Sequence, residues 1–219
     1  MRNTNTPIAA EGYPFIFGAL ALTVLFALLG LKLHAGFFAP AGFFCLLTGF
    51  IVFFFRNPER ATPNLEQGVI APADGVVIFS GRVVEPHTQA EMEKVSIFMS
   101  VFNVHVNRAP VTGRVLDSFY TKGKFYDVRD ERATFENEQQ GLVLETSPGQ
   151  KLVVVQVAGL IARRIVCYAK VGDLLTRGRR YGLIRFGSRL DVYLPLGTKV
   201  KVAMGEKTVA GETVLGLLP

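Results

Sequence analysis

Arg185-Phe186-Gly187-Ser188-Arg189-Leu190-Asp191-Val192-Tyr193-Leu194 places a Gly-Ser pair between a basic run and a strand-like stretch. Taken alone, the Gly-Ser pair is an ordinary turn former. Its surroundings set the fold class, because short β-rich stretches alternate with glycine turns along most of the chain. They run from Val76 to Ser80, Val95 to Met99, Leu142 to Thr146, Leu152 to Ala158, Ile165 to Tyr168, Leu190 to Leu194 and Val200 to Ala203. This spacing predicts a mainly β unit, a compact sandwich or barrel-like domain, with no helix longer than about three turns after residue 60. The tail from Gly197 to Gly216 has the glycine rhythm of small sandwiches that carry biotin or lipoate, but no attachment lysine sits in a suitable turn.

The N-terminus differs in kind. Tyr13 to Leu31 contains no charged residue, and Leu33 to Phe55 contains only His34 as an ionisable group. Each run reaches the roughly 20 apolar residues needed to cross a bilayer core. A helical hairpin is predicted, with spans Pro14 to Leu31 and Gly36 to Phe55. Arg2 precedes it, while Arg56 and Arg60 follow it, so the positive-inside rule directs both ends to the cytoplasm, with Lys32 opposing. A signal peptide lacks support, since no small-residue cleavage site precedes a mature domain. An in-plane or re-entrant second segment stays open, because Gly36, Pro40, Gly42 and Gly49 could break it.

Prolines and charges in Arg56-Asn-Pro-Glu-Arg-Ala-Thr-Pro63 end the apolar region, predicting a membrane-anchoring segment over 1–60 and a second domain over 61–219. The 24 Lys and Arg against 18 Asp and Glu give a formal charge of +6. That balance fits nucleic acid or an anionic membrane surface, and the apolar segments decide for the membrane. Cys45 and Cys167 offer neither metal-ligand spacing nor a disulfide framework.

A serine that is to act as a nucleophile wants a neighbouring base. Of three histidines, His34 lies in or beside the membrane and His87 lies in a polar loop. His105 closes the apolar run from Ile97 and precedes a Pro-containing turn, where a strand would deliver it to a site edge. A histidine so placed is more often structural. Asp74, in Ala73-Asp74-Gly75, is either a turn former or a carboxylate that orients an imidazole.

Three segments in this order, Ala71-Pro-Ala-Asp74-Gly-Val-Val77, Ser100-Val-Phe-Asn-Val-His105-Val-Asn-Arg108-Ala-Pro110 and Gly187-Ser188, resemble the phosphatidylserine decarboxylases over roughly residues 55 to 219. The resemblance implies self-cleavage between Gly187 and Ser188 into a β chain and an α chain. It further implies conversion of Ser188 into a pyruvoyl group, the electrophile that decarboxylates phosphatidylserine to phosphatidylethanolamine. Asp74 and Ser188 then belong to self-processing, and His105 to decarboxylation. Long members of the family have two histidines three residues apart, whereas Arg108 stands at the second position here. Arg189 replaces a threonine, and Asn137-Glu138-Gln139 lacks an arginine of the long pattern. These departures resemble the short, compact branch, and they leave open a related serine phospholipid as substrate. No metal is implied, and a homo-oligomer stays open.

Basic residues cluster at Arg163, Arg164, Lys170, Arg177, Arg179, Arg180, Arg185 and Arg189. A solvated face is the bland explanation; contact with an anionic leaflet or a lipid phosphate is favoured, with Arg108, Arg185 and Arg189 as candidate headgroup ligands. Two other classes compete with a decarboxylase: a membrane-anchored sandwich that only binds, and a tethered zinc peptidase. The first makes Asp74, His105 and Gly187-Ser188 coincidental, and the second lacks a usual ligand set.

Overall fold

The computed structural model describes residues 6–147, 149–160, 164–185 and 187–219, and the chain divides into two compact units at Glu59/Arg60. Arg2, Arg163 and Phe186 lie outside the described residues.

The first unit is a helical hairpin. Helix α1 (Tyr13–Lys32) and helix α2 (Phe38–Phe54), each taken with the short helical turn that leads into it, make the continuous segments Ala10–Lys32 and Ala35–Phe54, both long and apolar enough to cross a membrane. At 1.5 Å per residue, the 20 residues of α1 span about 30 Å, the thickness of a hydrocarbon core. Pro40 falls in the first turn of α2, where no intrahelical N–H is lost, so that helix runs unbroken through Gly42 and Gly49. Between the helices, His34 Nδ1 accepts the Gly36 N–H at 3.0 Å and caps a short helical turn. The two ends are tied together: the Ala9 N–H donates to the Phe55 carbonyl at 2.8 Å, and Asn57 Nδ2 donates to the Thr6 carbonyl at 2.8 Å. Entry and exit of the hairpin therefore lie at the same end.

The second unit is β-rich, as the glycine rhythm predicts. Its strands are β1 (Gly68–Ile70), β2 (Gly75–Val84), β3 (Glu91–Met99), β4 (Val106–Arg108), β5 (Gly113–Thr121), β6 (Gln139–Glu145) and β7 (Lys151–Ala158). They continue with β8 (Ile165–Cys167), β9 (Leu174–Leu175), β10 (Arg180–Ile184), β11 (Ser188–Leu194), β12 (Lys199–Val200), β13 (Lys207–Thr208) and β14 (Val214–Leu217). Eight form an antiparallel sheet in the order β13-β2-β3-β11-β7-β6-β5-β9, curled as a half-barrel. Two three-stranded sheets, β4-β10-β8 and β1-β14-β12, complete the unit. After residue 60, the described residues contain one single-turn helix, Ala133–Glu136.

Alternation sorts the side chains of the large sheet onto two faces. Leu190, Val192 and Leu194 of β11 join Val95, Ile97 and Met99 of β3 in the main core, while Tyr193 joins Val153, Val155 and Val157 in a second cluster on the opposite face. Ser188 is two residues before Leu190, so it belongs to the core face and is 0% exposed. Arg189 and Asp191 take the opposite face. There Asp191 receives Arg189 through Nε at 2.8 Å and Nη2 at 2.9 Å, and Lys94 Nζ at 3.0 Å. Burial pushes the Asp191 carboxyl up, but Arg189 and Lys94 outweigh it and hold the group below its ordinary value of 3.8.

A carboxyl held down by partners stabilises the fold above its ordinary range, and the contribution is lost as pH falls through the folded value. Asp191→Asn should leave Arg189 and Lys94 buried without a countercharge and cost about 3–5 kcal/mol. Thermal unfolding of the detergent-solubilised protein checks this. The difference between variant and wild type should begin to shrink below about pH 4, where the carboxyl of the unfolded chain takes up its proton, and vanish only as the pH falls through the depressed folded value, where the native protein loses the charge as well.

Candidate active site

Ser188 opens β11 in the middle of the large sheet, opposite Met99 of β3 on one side and Ala158 of β7 on the other. The residue before it, Gly187, has φ +64°, a left-handed conformation that favours glycine. Gly187 thus turns the chain sharply into a fully paired strand. A Cβ at Gly159 would lie 2.4 Å from the Gly187 carbonyl oxygen and 3.1 Å from Val128 Cγ1, so the bare Cα of Gly159 is what lets that carbonyl sit there.

His105 is the histidine of the three that reaches this turn. Its Nδ1 lies 2.9 Å from the Asn103 carbonyl, which only accepts, so Nδ1 carries the proton. The lone pair of Nε2 then faces the Gly187 N–H, which donates to it at 3.4 Å. The ring is buried, and its backbone carbonyl accepts the Ile184 N–H at 3.3 Å, fixing the approach to β4. The orienting acceptor is itself braced. Asn103 Oδ1 accepts the Ser100 N–H at 2.9 Å and the Ser100 hydroxyl at 2.8 Å, closing the turn after β3. His34 caps the helical hairpin, while His87 stacks on Phe119 and meets Asp117 at 2.9 Å.

Asp74 lies at the same end of the sheet, just before β2. The registers Val76↔Phe98 and Met99↔Ser188 place it two strands from Ser188, about 10 Å at the usual spacing. Its oxygens accept from Arg60 Nη2 at 2.9 Å and from the Ala210 N–H at 2.8 Å. The structure therefore joins His105 to Gly187 and Asp74 to Arg60. The imidazole is oriented by the Asn103 carbonyl.

The candidate headgroup ligands are not alike. Arg108 is 5% exposed and donates to the Gly178 carbonyl at 2.8 Å. Arg189 is 4% exposed; besides Asp191 it donates to the Val128 carbonyl and to Thr134 Oγ1, both at 2.7 Å. Both guanidiniums hold the scaffold. Arg185 is half-buried and adjoins the turn. Arg177 is bound to the Leu65 and Gly68 carbonyls and Arg180 is buried, so the basic cluster is only partly a solvated face. Cys167 is kept protonated, its thiol pushed up to about 11 chiefly by burial.

Asn137 contributes a clamp that sequence patterning does not reveal. It is 0% exposed, and its Nδ2 donates to the Tyr126 carbonyl at 2.9 Å and the Ala158 carbonyl at 2.8 Å. Together with Arg189 it pins the segment around Val128 against the end of β7, beside Gly159. Ser188 is thus a buried serine at the head of a central strand, behind a left-handed glycine whose N–H rests on a neutral imidazole.

This arrangement has relatives. The sequence profile of the phosphatidylserine decarboxylase family matches residues 47–216. The phosphatidylserine decarboxylase proenzyme of Citrifermentans bemidjiense is 76% identical over 219 residues, covering all of both chains. Those of Geobacter sp. strain M21 and Geobacter metallireducens are 75% and 72% identical, again over the full length of both chains. The chain belongs to the phosphatidylserine decarboxylase family, and its 219 residues make it one of the short type.

Gly159→Ala should force the Gly187 carbonyl aside and lower the melting temperature by about 2–10 °C, the scale of an overpacked core contact. An unchanged melting temperature would show that the carbonyl does not depend on Gly159.

Proposed function

We propose that this chain is the precursor of a pyruvoyl-dependent phosphatidylserine decarboxylase that cuts itself between Gly187 and Ser188, then converts phosphatidylserine to phosphatidylethanolamine and carbon dioxide. The choice of bond rests on the conjunction at residue 187: a positive φ, a carbonyl lodged against Gly159, an N–H on His105 Nε2 and a buried hydroxyl on the next residue.

Cleavage begins with Ser188 Oγ adding to the Gly187 carbonyl carbon as its proton passes to a base. The Gly187–Ser188 C–N bond breaks, the Ser188 amine is freed, and an ester joins Gly187 to Oγ. Loss of the Ser188 Cα proton breaks Cβ–Oγ and releases residues 1–187 with a terminal carboxylate. The dehydroalanine that remains takes up water and loses ammonia, leaving the pyruvoyl group on the 188–219 chain. The site fits this outcome, because the 188 side chain is enclosed by Met99 and the group is made in place.

Once formed, the pyruvoyl carbonyl supplies the electron sink for the pair left behind by carbon dioxide. His105 is the proton carrier for the carbon that lost its carboxylate: Nε2 faces the turn while Nδ1 stays anchored on Asn103. Asp74 supports processing by tying Ala210, downstream of the cut, to the start of β2. Arg185, beside the turn, is the headgroup ligand we favour among the arginines. The helical hairpin anchors the protein in the cell membrane with both ends on the cytoplasmic side, where Arg56 and Arg60 belong. Exposed basic side chains add on the order of 1 kcal/mol each near an anionic leaflet.

Intact mass measurement tests the cut directly. Wild type should give chains 1–187 and 188–219, with a blocked N-terminus on the smaller, and Ser188→Ala should stay whole. Cutting of Ser188→Ala at the same bond would refute the assignment. Hydroxylamine should inactivate the cut enzyme by capturing its carbonyl, and activity that survives thorough trapping would exclude pyruvoyl chemistry.

His105→Ala should be cut into two chains yet lose decarboxylation by roughly 10²–10⁴-fold, the scale of a lost general acid. An uncut variant would make His105 the processing base, and a cut, fully active one would remove it from the mechanism.

A further inference from the structure

Ser188 Oγ has an unusual neighbour. It lies 3.5 Å from the thioether sulfur of Met99, its cross-strand partner, and both residues are 0% exposed. The sulfur is itself held from a second direction, since Asn107 Nδ2 lies 3.8 Å from it. Asn107, also 0% exposed, accepts Gln156 Nε2 on its Oδ1 at 2.8 Å. A polar thread therefore crosses the apolar core from β7 through β4 to β3 and ends on the serine. Its far end is unsatisfied, because Gln156 Oε1 is buried with no partner among the described residues.

Such a thread is costly in a hydrophobic core, where an unpaired amide oxygen loses its water for nothing in return. Leucine, valine and alanine fill the equivalent space elsewhere in this cluster. Methionine is also the least rigid of the large apolar side chains, so a sulfur that must sit at one point needs a second contact to fix it. Asn107 and Gln156 supply that contact.

We propose that Met99 is a positioning residue for self-cleavage: its sulfur, pinned by Asn107 and Gln156, holds the Ser188 hydroxyl in place inside the core. The inference rests on Ser188 being the residue that attacks. A thioether suits the task at both stages. It is a weak acceptor, so it orients the hydroxyl without withholding it from the base, as a carbonyl or carboxylate would. It is also apolar enough to pack against the methyl group into which Cβ is converted.

The test follows chain cleavage with time in the full-length protein made by cell-free translation with detergent. Met99→Leu keeps the volume and removes the acceptor; it should slow cutting at least roughly tenfold, the worth of one hydrogen bond, with little change in melting temperature. Met99→Gln restores an acceptor at the same reach and should cut within about threefold of wild type. Equal slowing of both variants would reduce Met99 to packing, and wild-type cutting of Met99→Leu would overturn the proposal. Should Met99→Leu fail to fold, norleucine in place of the four methionines removes the sulfur with chain length kept. Cutting at the normal rate in the norleucine protein would also overturn the proposal. Failure of the functional assignment is recognised separately, because wild type itself would then remain uncut.

Discussion

The alternation of β11 is the constraint from which the site is built. A strand sends successive side chains to opposite faces, so burying Leu190, Val192 and Leu194 in the main core commits position 188 to the same side. Arg189 and Asp191 must then face the other way, where they satisfy one another and Lys94. A one-residue slip would turn an arginine into the apolar core beside Ile97 and carry the serine to the opposite face, away from Met99. The seven-residue pairing of β11 with β3 and its six pairs with β7 make that slip expensive, so the reacting residue is fixed by sheet register.

Around that fixed point the contacts come from backbone as much as from side chains. The Gly187 N–H, the Asn103 carbonyl, the bare Cα of Gly159 and the Ala158 carbonyl each have a defined partner. Such groups are set by the fold and tolerate changes in side-chain identity. This explains how a site can keep its geometry with arginine at 108. The guanidinium of Arg108 turns to the Gly178 carbonyl, and the carboxylate of Asp74 finds Arg60.

Much of this was legible in the chain, and the gaps have physical causes. Strands with continuous apolar runs, such as β3, β7 and β11, stand out. The nine-residue β5 does not, because Asp117 and Ser118 interrupt it at a bulge between Val115 and Asp117. Strand β10 begins with Arg180 and contains Gly182, and its burial comes from β4 and β8 on either side. The histidine near Gly187-Ser188 could be found by elimination, since only three exist. Its orienting carbonyl could not, because every residue has one, although Ser100-x-x-Asn103 is the kind of turn that fixes such a group. Arg189 read as a headgroup ligand because a basic run says nothing about which face each side chain takes. Met99 read as core, which it is, while its contact with the Ser188 hydroxyl depends on a partner 89 residues away.

The topology also governs what becomes of the small fragment. Strands β11 to β14 all follow Ser188, yet they are distributed between the eight-stranded sheet and the β1-β14-β12 sheet, with β11 hydrogen-bonded on both edges. Cutting before Ser188 would therefore leave two polypeptides woven into one body, unable to part without dismantling both sheets. Thereafter folding would become a one-way event. A denatured precursor could refold by itself, but the mature pair would have to find each other again, at a rate that falls with dilution.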